Sequence, residues 1–285
     1  MKQTPYIHIS AIFLTWHRYY IWTYEKMLQE KCGYKGTIPY WEWGYDIADP
    51  SASPIFDGSE TSLGSDGAPI SPHPPMLLLP PGPSNSLVTI PPGAGGGCVH
   101  SGPFANMTVH LGPQQLPVLG STNITGQADP FADNPRCLRR DLSAYSATRW
   151  ASFRNTTRVV LDYDTIELFQ AYLGGDPRYI LQELGVHGGG HYAIGGDPGS
   201  DVAVSPGDPA FYLHHGQIDR VYWMWQMLDF ENRQGVWGTG TALDDPPSAN
   251  VTVEDYVELL PLNGPIQIKD LMNVVGGTPL CYVYE

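Results

Sequence analysis

His187-Gly188-Gly189-Gly190-His191, followed by Asp208-Pro209-Ala210-Phe211-Tyr212-Leu213-His214-His215, is the stretch that decides the fold. Two histidines four residues apart share one face of a helix and can grip one metal ion. The three glycines between them oppose that helix by about 1 kcal/mol each. Either neighbouring structure enforces the turn or the segment is looser than a helix. Gly188 stands where the zinc-protease pattern needs glutamate, which excludes that chemistry. Asp208-Pro209 is a helix start, with an acid as N-cap and proline at the first helical position, and it opens a helix over 210–229. His215 on this helix adds a third imidazole. His214 points about 100° away around the same helix and is read as a packed or substrate-facing residue. Asp219, one turn beyond His215, is placed either to orient an imidazole or to pair with Arg220 or Arg18 on the surface.

Working outward, His8 and His17 form a second cluster. Apolar or aromatic residues at Ile12, Phe13, Trp16, Tyr20, Tyr24, Met27 and Leu28 recur at helical spacing, so 9–31 is predicted as a helix that stops at Gly33. Imidazole ligands suit copper, and three per metal leave room for a small molecule. The second cluster offers three and the first offers two. His73, His100 and His110 lie in loops without such neighbours and are read as surface residues.

Further helical patterning falls at about 137–152, 163–173 and 177–184, the last opened by Asp176-Pro177. Residues 47–135 differ. Pro72-His73-Pro74-Pro75 and Pro91-Pro92-Gly93-Ala94-Gly95-Gly96-Gly97 exclude helix and central strand there, leaving irregular structure with short strands such as 106–111. Pro39-Tyr40-Trp41-Glu42-Trp43 reads as a packed aromatic segment. The expected fold is mainly α, a four-helix bundle around a paired metal site with long irregular loops and a few short strands. The 285 residues are read as a single domain.

The net charge of −14 argues against nucleic acid as partner, because like charges repel. No apolar run approaches the ~20 residues of a membrane span. Four sequons at Asn106, Asn123, Asn155 and Asn250 and four cysteines point to a secreted glycoprotein. Four cysteines allow three connectivities; Cys98 with Cys137 and Cys32 with Cys281 are favoured.

His8-x8-His17-Arg18-Tyr19 with Trp22-x2-Glu25, then His187-x3-His191-x23-His215 within Asp208-Pro209-Ala210-Phe211-x2-His214-His215-x3-Asp219-Arg220, resembles the tyrosinase / catechol oxidase family of dinuclear (type-3) copper proteins, and most of all its short secreted fungal members. Tyr282-Val283-Tyr284 is similar to the tyrosine motif that closes the family's catalytic domain, which implies no C-terminal shielding domain. The resemblance implies two coppers with O2 as co-substrate: copper A on His8 and His17, copper B on His187, His191 and His215. The third copper A histidine of short fungal members would fall immediately before Met1. This implies a chain truncated just there, a residue supplied by a tag, or a two-coordinate copper A in a weak or inactive protein. The implied reaction turns o-diphenols into o-quinones. Members that hydroxylate monophenols well often carry asparagine after the first copper B histidine; Gly188 here implies weak hydroxylation at most. Phe211 would pack beneath the coppers, and Val202 would sit over the site as a small gate. Small phenols are the implied partners of a monomer or weak dimer. An inactive copper-binding protein and a haemocyanin-like O2 carrier are the alternatives, and catechol turnover separates the oxidase from both.

Overall fold

The computed structural model describes residues 2–78, 87–114, 129 and 131–285. They form two compact units, each assembled from separated stretches of chain. One comprises 41–156 and 175–214; the other comprises 2–40, 157–174 and 215–285. Seven α-helices and four two-stranded antiparallel ladders are present among the described residues, so the fold is mainly α with a few short strands, as the sequence implies.

In the first unit the Pro/Gly-rich region forms three small ladders: β1 (Gly67–Pro69) with β4 (Gly96–Val99), β2 (Met76–Leu78) with β3 (Val88–Ile90), and β5 (Thr108–Val109) with β6 (Arg136–Cys137). Strand 106–111 thus shrinks to two residues. Val99, Val109 and Leu138 form a small buried cluster, and the Cys98–Cys137 disulfide joins β4 to β6 beside it. Helix α3 (Ala144–Trp150) is capped by Ser143, whose Oγ accepts from the Ser146 amide at 3.2 Å. Trp41 and Trp43 are fully buried, and the Trp41 amide donates to the Leu213 carbonyl at 3.0 Å. Helix α6 (Gly185–Ile194) completes this unit.

The second unit holds α1 (Thr4–Ile7), α2 (Phe13–Cys32), α5 (Ile166–Gly174) and the β7 (Tyr256–Leu259)–β8 (Asn263–Gln267) ladder. Gly33 ends α2 in the left-handed conformation (φ 68°), and its amide closes back on the Leu28 carbonyl. Trp16 and Tyr19 of α2 bury against Val257, Leu259, Ile268, Leu271 and Leu280. Helix α4 (Phe153–Leu161) and helix α7 (Ala210–Leu228) each pass from one unit into the other.

Several expectations need correction. The helix at 137–152 covers only 144–150, because Cys137 is held in β6 by its disulfide. Helix α4, started by Ser152 Oγ under the Asn155 amide, lies just beyond it and carried no expectation. Residues 177–184 are not helical. The Asp176 carboxylate is taken up by Arg178, through its amide at 2.9 Å and its guanidinium at 2.6 Å, and after one turn Gln182 adopts φ +59°. Cys32 and Cys281 are both exposed free thiols, so only one of the two favoured disulfides forms. Cys32 is fixed by the end of α2, whereas Cys281 is fixed between buried Leu280 and the Tyr282 amide bonded to Val274.

Two buried acid–guanidinium pairs hold α7. Asp208 caps its start, accepting from the Ala210 amide at 2.9 Å, and receives Arg140 at 2.9 and 2.7 Å with neither side chain exposed. Further along, Asp219 receives Arg18 Nε at 2.6 Å. Replacing Asp208 by alanine strands the Arg140 charge. The expected loss is about 3–5 kcal/mol, read as a fall in the urea midpoint, whereas Asp208→Asn should lose less because it keeps the cap.

Candidate metal centre

Each unit holds histidines drawn close together. In the first, His187 and His191 lie one turn apart on α6, and His214 reaches them from α7. The ring centroids are 4.8 Å apart for His187–His191, 5.7 Å for His187–His214 and 4.4 Å for His191–His214. Each of the three offers a ring nitrogen within 4.8 Å of the others. In the second unit His17 of α2 lies 5.3 Å from His8, and its ring stacks at 4.4 Å on His215 of α7.

The glycines of α6 are explained by close approach. A Cβ on Gly189 would overlap the Cβ of Trp150 in α3, and one on Gly190 would overlap the His214 ring. The helix survives its poor propensity because two of the three glycines between its histidines let α3 and α7 pack directly on its backbone. His214 is fully buried, wedged between this backbone and the Trp43 ring at 5.4 Å.

The rings suit a metal that takes neutral imidazole. His17 Nδ1 meets the Phe13 carbonyl at 2.7 Å, His8 Nδ1 the Thr4 carbonyl at 3.3 Å, and His191 Nδ1 the Gly199 carbonyl at 3.2 Å. A carbonyl only accepts, so in each case Nδ1 carries the proton and Nε2 keeps its lone pair. Desolvation pushes the His8 pKa down to about 4, against the raising effect of the Thr4 carbonyl, and keeps that ring neutral. An all-imidazole donor set of this kind fits copper.

The remaining expected site residues divide. Phe211 is buried, with its ring 5.9 Å from that of His191. Val202 is half-buried in the turn after α6, and Gly188 faces Leu184. Asp219 accepts from Arg18 on one oxygen and from the hydroxyls of Tyr282 and Tyr284, both at 2.6 Å, on the other. These contacts make Asp219 a structural tie, and its pairing with Arg18 is buried rather than on the surface. Burial raises both tyrosine pKa values well above the ordinary value, with Asp219 adding to it, so both hydroxyls remain donors. Among the loop histidines, His110 is exposed against Asp133 and His100 is exposed beside Ser65. His73 is a correction, since it is partly buried on Asp141 at 3.0 Å. Asn106 and Asn250 are exposed and Asn155 is half-buried, while Asn123 lies outside the described residues. Sequence reading missed Arg136, Arg140 and Asp197, which no local pattern marks, because the Arg136–Asp197 and Arg140–Asp208 pairs join residues 61 and 68 positions apart.

Helices that present clustered neutral imidazoles define a histidine-bound metalloprotein. The family model "Common central domain of tyrosinase" matches residues 1–228. Tyrosinase P of Aspergillus terreus is 40% identical over 290 residues, covering 100% of this chain and 78% of that protein. Oxidase hkm6 of Aspergillus hancockii is 36% identical, covering 100% and 96%. N-acetyl-6-hydroxytryptophan oxidase ivoB of Emericella nidulans is 36% identical, covering 99% and 78%. The structure of a polyphenol oxidase (mutant G292N) from Thermothelomyces thermophila superposes with a TM-score of 0.88 at 36% identity, covering 100% of this chain and 75% of that one. The chain belongs to the tyrosinase family, and is a copper oxidase of that family.

Two outcomes follow. Gly190→Ala should destabilise the protein by about 1–3 kcal/mol through overpacking on His214, whereas Gly174→Ala, whose new methyl meets nothing within 4 Å, should not; thermal unfolding compares them. His8 titrates lower in the fold than in the unfolded chain, so its stabilising contribution is complete above about pH 6.5 and is lost as pH falls towards about 4. Metal-free protein should therefore lose more stability between pH 7 and 4.5 than His8→Gln, by at most about 1.4 kcal/mol per pH unit. Parallel pH profiles would contradict this.

Proposed function

We propose that this copper oxidase converts o-diphenols to o-quinones with O2, with His8 and His17 holding copper A and His187, His191 and His215 holding copper B. The observation that carries the reading is the set of Nδ1-to-carbonyl contacts at His8, His17 and His191, which aims Nε2 of each ring away from the backbone. Bound copper supplies the redox chemistry, passing two electrons from each diphenol to O2, so that two diphenols and one O2 give two quinones and two waters. The chain's own residues hold the imidazoles neutral, pack Phe211 beside His191 and leave the half-buried Val202 to bound the phenol's entrance.

Gly188 offers no side chain to hold a water or to take the proton of an incoming monophenol. Diphenol oxidation is therefore the main activity and monophenol hydroxylation the weak one. The relative named for N-acetyl-6-hydroxytryptophan supports a small hydroxylated aromatic as substrate. The Cys98–Cys137 disulfide and the exposed sequon residues Asn106 and Asn250 support a secreted protein.

Oxygen uptake by the copper-loaded protein with 4-tert-butylcatechol tests this. The expected result is steady uptake with quinone formation, abolished in His17→Ala and His191→Ala. With 4-tert-butylphenol the rate should be lower by about a hundredfold, the size of a missing proton-transfer group. Reversible O2 binding without quinone would favour a carrier, and neither signal would favour a copper-binding protein without turnover.

A further inference from the structure

The loop that follows α6 is built more tightly than a surface connection needs to be. Asp197 and Asp201 are both fully buried there. The Asp197 carboxylate is gripped by two prongs of Arg136, Nε at 2.6 Å and Nη2 at 2.8 Å. The same guanidinium also donates to the carbonyls of Asn134 and Leu111, at 3.0 and 2.9 Å. The Asp197 carbonyl takes the Arg139 amide at 2.9 Å, and Asp201 takes the amides of Gln114 and Ala203. Gly195 and Gly196, both at positive φ, lie so close to the Asp141 and Arg139 carbonyls that a Cβ on either would overlap them. Gly199 is packed in the same way against Gly195 and Ile194. The outcome of this construction is the position of one atom, the Gly199 carbonyl oxygen, 3.2 Å from His191 Nδ1.

We propose that Arg136 is a positioning residue for His191: through Asp197 it fixes the loop whose Gly199 carbonyl orients the imidazole and sets its tautomer. The inference rests on the reading of His191 as a copper ligand. A two-pronged guanidinium–carboxylate grip resists rotation as well as separation, which a single contact does not. Arg136 is itself seated in β6, next to Cys137 and its disulfide, so the grip is anchored to the most crosslinked part of the unit. Loss of an outer partner of this kind typically costs 10–100-fold in metal affinity.

The test is the rate at which copper-loaded protein surrenders copper to EDTA, measured beside the thermal midpoint. Arg136→Gln and Asp197→Asn should release copper about 10–100-fold faster than the wild type. Arg136→Lys, which keeps the charge but loses the second prong, should recover only part of the difference. Val109→Ala, a cavity in the neighbouring buried cluster, supplies a destabilised control and should release copper at the wild-type rate. If Arg136→Gln and Asp197→Asn both release copper no faster than this control, the positioning role is overturned. His191→Ala distinguishes the two levels. If it keeps its full copper with wild-type release, the ligand reading itself fails. If it loses copper while the Arg136 and Asp197 variants match the control, only the present inference fails.

Discussion

Helix α7 is the element on which the remainder depends, and two buried acid–guanidinium pairs set its position. Its consecutive histidines fall in different units: His214 closes the group on α6, and His215 stacks on His17. Asp208 with Arg140 fixes the helix start, and Asp219 with Arg18 fixes it one turn beyond His215. Burying these charges is costly. Desolvation pulls the Arg18 pKa down, but Asp219, together with Tyr282 and Tyr222, more than offsets that and raises it. Breaking such a pair removes a large part of the 5–15 kcal/mol that typically holds a protein folded. The closing tyrosines, Tyr282 and Tyr284, complete Asp219's bonding, so the end of the chain stabilises the same helix.

Glycine solves the opposing problem at α6. Histidines at i and i+4 need a helix, and an ordinary side chain between them would hold α3 and α7 too far away. Gly189 and Gly190 admit Trp150 and His214 directly onto the backbone. Packing thereby supplies what local propensity withholds. The same logic shapes the loop beyond α6, where Gly195, Gly196 and Gly199 permit backbone contacts that bring a carbonyl to His191.

Much of this was legible in the sequence. The histidine spacings place His187 and His191 on one face and His8 near His17, and Asp208-Pro209 marks the start of α7 within a residue. What was illegible depends on tertiary partners. Asp176-Pro177 is as good a helix signal as Asp208-Pro209, yet Arg178 captures its acid, whereas Asp208 is steadied by Arg140 from distant sequence and continues into helix. Cysteine parity suggested two disulfides, but pairing depends on where segments are fixed, and Cys32 and Cys281 remain free. The roles of Arg18, Arg136 and Arg140 follow only from which carboxylate the fold brings to each.

The central claim is that the imidazoles of this chain bind two coppers, although the first cluster brings only His8 and His17 to copper A. Anaerobic titration of the metal-free protein with Cu(I), followed by removal of loosely held metal and elemental analysis, tests it most directly. Two coppers per chain, falling to one in both His17→Ala and His191→Ala, is the result this account predicts. A single copper per chain that His17→Ala leaves unchanged would contradict it.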